Sequence, residues 1–298
     1  MNLVSVLIYQ LFIRPISILP FRLLYWISDF LFFIVYYLIG YRKKTAAKNI
    51  EQSFPDKSAA EHRLILKTFF RHFCDLVLES FKLFTISEKA LRSRFVFKNP
   101  EILLPFFERG QSFIIAGGHY NNWEMFASAC QLYMQHQAVA LYKPLANPWF
   151  EQKLKSSRSR FGLQMVPIQQ TKAFFEEKTD RPSAIIFGMD QSPSNISRCH
   201  WMKFLNQDTP VIFGVEKYSK EYNLPVVFGR ILKVRRGYYE LEMEVLTSDP
   251  KSMPHAAIVE KAMQMLEVDI NREPPWWLWT HKRWKHKRPA NLSATPAQ

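Results

Sequence analysis

Apolar and polar positions fall into three textures along the chain. Residues 3 to 40 are dominated by apolar side chains, most densely in LLYWISDFLFFIVYYLIG, 23 to 40. That run is about 18 residues long, just enough to cross roughly 30 Å of hydrocarbon as a helix. From Ser58 to Phe84 the texture changes. Leu64, Ile65, Phe69, Phe73, Leu76, Val77, Ser80 and Phe84 step by three and four, the pattern of one amphipathic helix. Beyond it come short apolar runs: FVF at 95 to 97, SFIIA at 112 to 116, AVALY at 138 to 142, LQMVPI at 163 to 168 and AIIFG at 184 to 188. Helical patterns at 121 to 134, 148 to 160 and 170 to 178 separate them. Strands alternating with helices predict an α/β fold with parallel pairs. Residues 211 to 222 read as a helix after Pro210. PVVFGRILKV and YYELEMEVL, about 225 to 246, read as an antiparallel pair turning at Arg236-Gly237, and 255 to 271 as a last amphipathic helix. The expectation is a mixed, largely parallel sheet flanked by helices, with an N-terminal hydrophobic membrane-anchor helix. The predicted boundaries are an anchor at 1–45, one domain at 46–289 and a disordered tail at 290–298.

Several features qualify the anchor. Asp29 lies inside the apolar run, where a charge is costly at the bilayer centre. Arg14, Pro15, Pro20 and Arg22 break up the stretch before it. YRKK follows directly, and a basic cluster there favours the cytoplasmic side. No small-residue cleavage site follows, so a cleaved signal peptide fits poorly. Two membrane forms stay open, a single uncleaved span or helices lying in the interface. A buried hairpin of core helices is the alternative.

Composition narrows the partners but not to one. The formal net charge is +14, which suits nucleic acid, anionic lipid or a phosphorylated substrate. Aromatic residues make up 15% of the chain, with 25 Phe and 8 Trp, so the sequence packs a thick core or lies against lipid. The cysteines Cys74, Cys130 and Cys199 are widely spaced and form no CxxC pair, which argues against a disulfide framework or a zinc ribbon.

The candidate chemistry sits in GGHYNNWE, 117 to 124. His119 falls just past the end of a predicted strand, the place where α/β sheets bind ligands. The glycines permit a tight turn, and Asn121 or Asn122 can cap the following helix. A neutral imidazole takes a proton from a hydroxyl near neutral pH. A carboxylate on its other nitrogen fixes the tautomer and stabilises the imidazolium. Glu124, one helical turn on, is the carboxylate within sequence reach. An isolated His near a turn also serves commonly as a cap or core hydrogen-bonder. Metal binding is not expected, because the spacing is not HExxH and no third ligand stands nearby.

GGHYNNWE resembles the histidine–four residues–acid motif of the lysophospholipid acyltransferase superfamily. Four further blocks resemble its bacterial branch, the late acyltransferases of lipid A: RKKTAAKNIEQSFPD at 42 to 56, LYKPLANPWFEQKLKSSRSRFG at 141 to 162, GMDQSP at 188 to 193 and PPWWLWTHKRWKHKRP at 274 to 289. They come in family order and cover about residues 20 to 289. The acidic-Gly-Thr-Arg phosphate motif of the glycerol-phosphate branch has no counterpart here. Phe204-Leu205-Asn206 stands where the lipid A branch commonly has an aromatic pair followed by Gly.

The resemblance implies a membrane-bound O-acyltransferase that moves a fatty acyl chain from acyl carrier protein to a hydroxyl of a lipid A precursor. It places the protein in the bacterial inner membrane with its active site facing the cytoplasm. His119 would be the general base and Glu124 its orienter. Arg158, Asp190, Gln191, Lys143 and Asn122 would bind substrate. No metal or cofactor is implied beyond the carrier-protein thioester as donor. The acceptor would be an anionic glycolipid or phospholipid, and nucleic acid is not an expected partner. The C-terminal tryptophans and basic residues suit a headgroup interface, while His281 reads as structural. Two other readings remain open: the same chemistry on a lysophospholipid or aminolipid, and a non-enzymatic basic protein binding membrane or nucleic acid. Binding that survives loss of His119 and Glu124 and weakens steeply with salt would mark the last.

Overall fold

The computed structural model describes residues 3–177 and 179–289. Its apolar N-terminus forms two helices, α1 (Leu3–Ile18) and α2 (Phe21–Ile39). Pro20, whose ring cannot continue the α1 ladder, stands at the corner between them. Gly40 ends α2 in the left-handed conformation, and α3 (Lys43–Ser53) follows. The long amphipathic helix is α4 (Ala59–Lys82). Ser58 starts it with a capping box, accepting from the Glu61 amide while Glu61 accepts from the Ser58 amide.

The sheet has seven strands in the order β1-β9-β8-β2-β5-β3-β4. They are β1 (Phe95–Phe97), β2 (Phe113–Gly117), β3 (Gln137–Tyr142), β4 (Gln164–Pro167), β5 (Ser183–Gly188), β8 (Val226–Arg235) and β9 (Tyr238–Thr247). Five of them, β8, β2, β5, β3 and β4, run one way; β9 turns back as a hairpin partner of β8, and β1 pairs parallel to β9. Both faces are covered, so the strand sides sort by alternation. Ile114 and Ala116 of β2 join the core containing Phe69, Phe70, Leu266 and Trp277. Phe113 and Ile115 join the opposite core, with Phe95, Phe126 and Leu241. The helices that flank the site are α5 (Trp123–Ala129) and α6 (Pro148–Arg158). Later in the chain come α7 (Gly214–Tyr222) and α8 (Ala257–Arg272).

Two segments depart from the sequence pattern. The helix predicted over 211 to 222 begins only at Gly214. Residues before it form β7 (Gln207–Ile212), paired antiparallel with β6 (Cys199–Phe204) in a separate two-stranded sheet. The turn between them is Leu205-Asn206, both at positive φ (49° and 64°), the backbone of a two-residue hairpin turn. Its usual glycine is missing, which hid the hairpin. The Leu205 amide donates to Glu267 and the Asn206 side chain to the Ser53 carbonyl, and these bonds hold the left-handed backbone in place. The second departure is the C-terminal aromatic block. Trp277, Trp279 and Arg283 are fully buried rather than offered to a headgroup interface. The block folds behind the sheet ends, with Tyr120 bridging to Trp277. The tail predicted to be disordered, 290–298, lies outside the described residues.

Candidate active site

Two neighbouring strand ends build the site. β2 and β5 pair in parallel with Gly117 opposite Gly188. Two residues past each glycine come His119 and Asp190, so the register sets them side by side. Asp190 accepts from His119 twice. Its Oδ1 lies 2.7 Å from Nδ1 of the ring and its Oδ2 2.9 Å from the His119 backbone amide. Trp277 adds a third bond, donating from Nε1 to Oδ2 at 2.7 Å. Asp190 is thus an acceptor on all sides and only 2% exposed, whereas the imidazole is 23% exposed.

The close approach depends on missing side chains. A Cβ on Gly188 would sit 3.1 Å from Cε1 of His119. One on Gly118 would sit 2.6 Å from Leu266 and 3.2 Å from the Asp190 carboxyl carbon. Glycine at position 188 lets the imidazole approach the β5 end, and glycine at position 118 makes room for Leu266 and the Asp190 carboxyl.

Electrostatics follow from this geometry. Burial raises the Asp190 carboxyl, but the charge and hydrogen bonds of His119 and the Trp277 bond outweigh it and hold it down at about 2. Burial lowers the His119 pKa, yet Asp190 beside Nδ1, helped by the Glu124 charge, leaves it above the ordinary value. An ionised Asp190 fixes the proton of neutral His119 on Nδ1, so Nε2 carries the free lone pair. The amide nitrogen of Gln191 lies 3.1 Å from Nε2 and donates to it. His281 plays a supporting part. Its Nε2 accepts from the Ser192 amide at 2.9 Å, and burial pushes its pKa down to about 4, so it stays neutral.

The residues chosen from sequence do not all do what was expected of them. Glu124 is not the carboxylate on the imidazole. It grips Arg158 in a two-pronged ion pair, 2.9 Å from Nε and 2.6 Å from Nη2. Asp190 is sealed behind the ring and makes no side of the cavity. Asn122 is also buried away from it. Its Oδ1 caps α5 at the Met125 amide, and its Nδ2 donates to Glu79 at 2.6 Å. His119, Glu124, Arg158, Gln191 and Lys143 do share one cavity, of about 380 Å³. Its depth is aliphatic and aromatic: Ile115, Phe126, Met165, Ile186, Ile231 and Leu241. Its rim includes Tyr142 and Glu151, joined at 2.6 Å. Phe204, Leu205 and Asn206 are not among its lining residues, so the departure from the lipid A pattern falls on the hairpin.

A buried carboxylate behind the site escaped the sequence reading. Glu79 of α4 accepts from Tyr25, Asn122 and Tyr239 at 2.8, 2.6 and 2.9 Å. Burial, with the charge of Asp75, pushes it up to about 7. It links helix α2 to the α5 cap, Asn122, three residues after His119 in the chain.

Among comparisons with known proteins, a family model described as bacterial lipid A biosynthesis acyltransferase matches residues 2–286. A search of curated proteins returns no match.

Proposed function

The chain belongs to the bacterial lipid A biosynthesis acyltransferase family, and we propose that it takes its acyl chain from acyl carrier protein and passes it to a hydroxyl of a lipid A precursor at the cytoplasmic face of the inner membrane. The coarser activity, acyl transfer to lipid A, comes with the family. The observation that carries the finer reading is the His119–Asp190 pair opening through Nε2 onto a cavity with an apolar floor.

In this reading the fatty chain lies along Ile115, Phe126, Ile186 and Ile231, with its thioester carbonyl near Nε2. The acceptor hydroxyl displaces the Gln191 amide from Nε2. His119 takes the hydroxyl proton as the oxygen attacks the thioester carbon, and Asp190 stabilises the imidazolium that results. The side chains of Gln191 and Arg158, both lining the cavity, donate to the tetrahedral oxyanion. Collapse breaks the carbon–sulfur bond, and the departing thiolate receives the proton from Nε2. The ester forms on the acceptor, and no protein side chain is acylated. Glu124 keeps the Arg158 guanidinium aimed into the cavity by occupying its Nε and Nη2.

The direct test is acyl transfer from acyl carrier protein to a lipid A precursor, with lipid mass spectrometry as readout. His119→Ala is expected to lose on the order of 10² to 10⁴ in rate. Full activity in that variant, or a wild-type product acylated on a phospholipid instead, contradicts the proposal.

A further inference from the structure

Helix α2 is long and apolar enough to cross a bilayer, yet its contacts forbid it. One face is tied to the folded domain turn after turn. Tyr25 donates to Glu79 at 2.8 Å and Ser28 to Asp75 at 2.7 Å. Asp29 pairs with Arg236 at 2.8 Å, and Arg236 also grips Asp75 at 2.6 Å. The Arg71 guanidinium lies over Phe32 at 5.1 Å, and Tyr36 meets Phe70 edge-on at 5.6 Å. The partners descend through α4 as the residue numbers of α2 rise, so the two helices run antiparallel and side by side. Crossing the bilayer would carry Arg71, Asp75, Glu79 and Arg236 to hydrocarbon depth, or strip α2 of all these bonds.

The opposite face is bare and greasy. Leu7, Leu11, Trp26, Phe30 and Leu38 are 47%, 63%, 73%, 66% and 68% exposed. Large apolar side chains exposed together on α1 and α2 mark a surface that meets lipid or a partner rather than water. Basic residues stand exposed at both ends of α2, Arg22 in its first turn and Arg42 and Lys44 after it. A spanning helix would split these ends between two compartments. A helix lying flat presents both to the same anionic headgroups. The α1 helix reaches the cavity wall: Ser5 accepts from Asn147 at 2.8 Å and Tyr9 meets Trp149 edge-on at 5.4 Å. The same α6 helix lines the cavity with Glu151, Leu154 and Arg158.

We infer that α1 and α2 form a platform immersed in one leaflet of an anionic bilayer without crossing it, beside the cavity mouth, so that a lipid reaches the site from the leaflet. The choice of lipid as occupant rests on the function proposed above; the flat orientation rests on the α2–α4 contacts alone.

Labelling of single-cysteine variants tests the orientation and needs no turnover. Cys74 and Cys130 are buried, so Cys199→Ser removes the partly exposed thiol. Full-length Arg22→Cys and Lys44→Cys variants in that background are added to preformed sealed vesicles of phosphatidylethanolamine and phosphatidylglycerol. Vesicle-bound protein is then treated with a membrane-impermeant maleimide. Both cysteines are expected to label to the same extent before the vesicles are opened. Lys44→Cys labelling at once while Arg22→Cys labels only after detergent would show a span and overturn the inference. Protein that stays in the supernatant as a dimer would show that a second copy covers the face, and overturns it equally. His119→Ala carrying the same labels keeps the expected pattern even if the proposed chemistry is wrong.

Discussion

In the proposed mechanism one side chain sets the chemistry and another sets its pH range. His119 works as a base only when neutral. Its pKa is raised by Asp190 against the pull of burial, so the rate is expected to climb with pH through a limb above the ordinary histidine value of about 6.5. A kcat/KM profile in wild-type protein checks this; a limb at or below that value speaks against an ionised Asp190 on Nδ1. The histidine was legible in sequence because GGH follows an apolar strand. Its carboxylate was not. Glu124 was the nearest acid in the chain, yet the true neighbour lies 71 residues away. The signal was present in a form that needs pairing to decode: SFIIAGGH and AIIFGMD each place a polar residue two positions past a strand-ending glycine. Only the parallel register of β2 and β5 makes them meet. Asn122 misled in the opposite way, since its capping role and its bond to Glu79 use up the groups that would reach a substrate.

Elements were readable where periodicity was local. The α4 helix forms where its apolar stripe predicts it, although Leu64 of that stripe is exposed and Phe70, Cys74 and Leu78 are buried beside it, and the β8–β9 hairpin turns where Arg236-Gly237 marks it. The β6–β7 hairpin was invisible because tertiary bonds, not a glycine, hold its left-handed turn. Glu79 shows another thing that period cannot reveal, a polar residue on a buried helix face. Its folded pKa of about 7 exceeds its ordinary 4.5. Its contribution to stability is therefore complete below about pH 4.5 and is lost as pH rises through 7, a change of about 3 kcal/mol. Glu79→Gln cannot ionise. Relative to wild type it is expected to gain stability between about pH 4.5 and about pH 8, by roughly that amount. Urea unfolding midpoints at the two values check it, and an equal offset at both contradicts the assignment. Tyr25 and Asn122 share this carboxylate, so the same variant also disturbs the link from α2 to the α5 cap.

At the scale of the whole molecule, three distant segments converge on one carboxylate: the β2 end with His119, the β5 end with Asp190, and the C-terminal block with Trp277. This explains why a tryptophan-rich basic tail that reads as an interface is packed as core. Its aromatic rings fill the space behind the site, with Trp279 and Trp284 edge-on to Trp277, while Lys282, Lys285 and Lys287 stay exposed. The apolar N-terminus covers α4 with one face and leaves the other bare, and both facts come from the same amphipathic helix. The central question is which acid serves the imidazole. The most direct measurement is the pH dependence of acyl transfer in Asp190→Asn beside Glu124→Gln. Losing Asp190 removes the largest influence raising the His119 pKa, so its limb is expected to move to lower pH with a lower plateau, while Glu124→Gln moves the limb much less. A limb that stays in place in Asp190→Asn, or shifts more in Glu124→Gln, would contradict it.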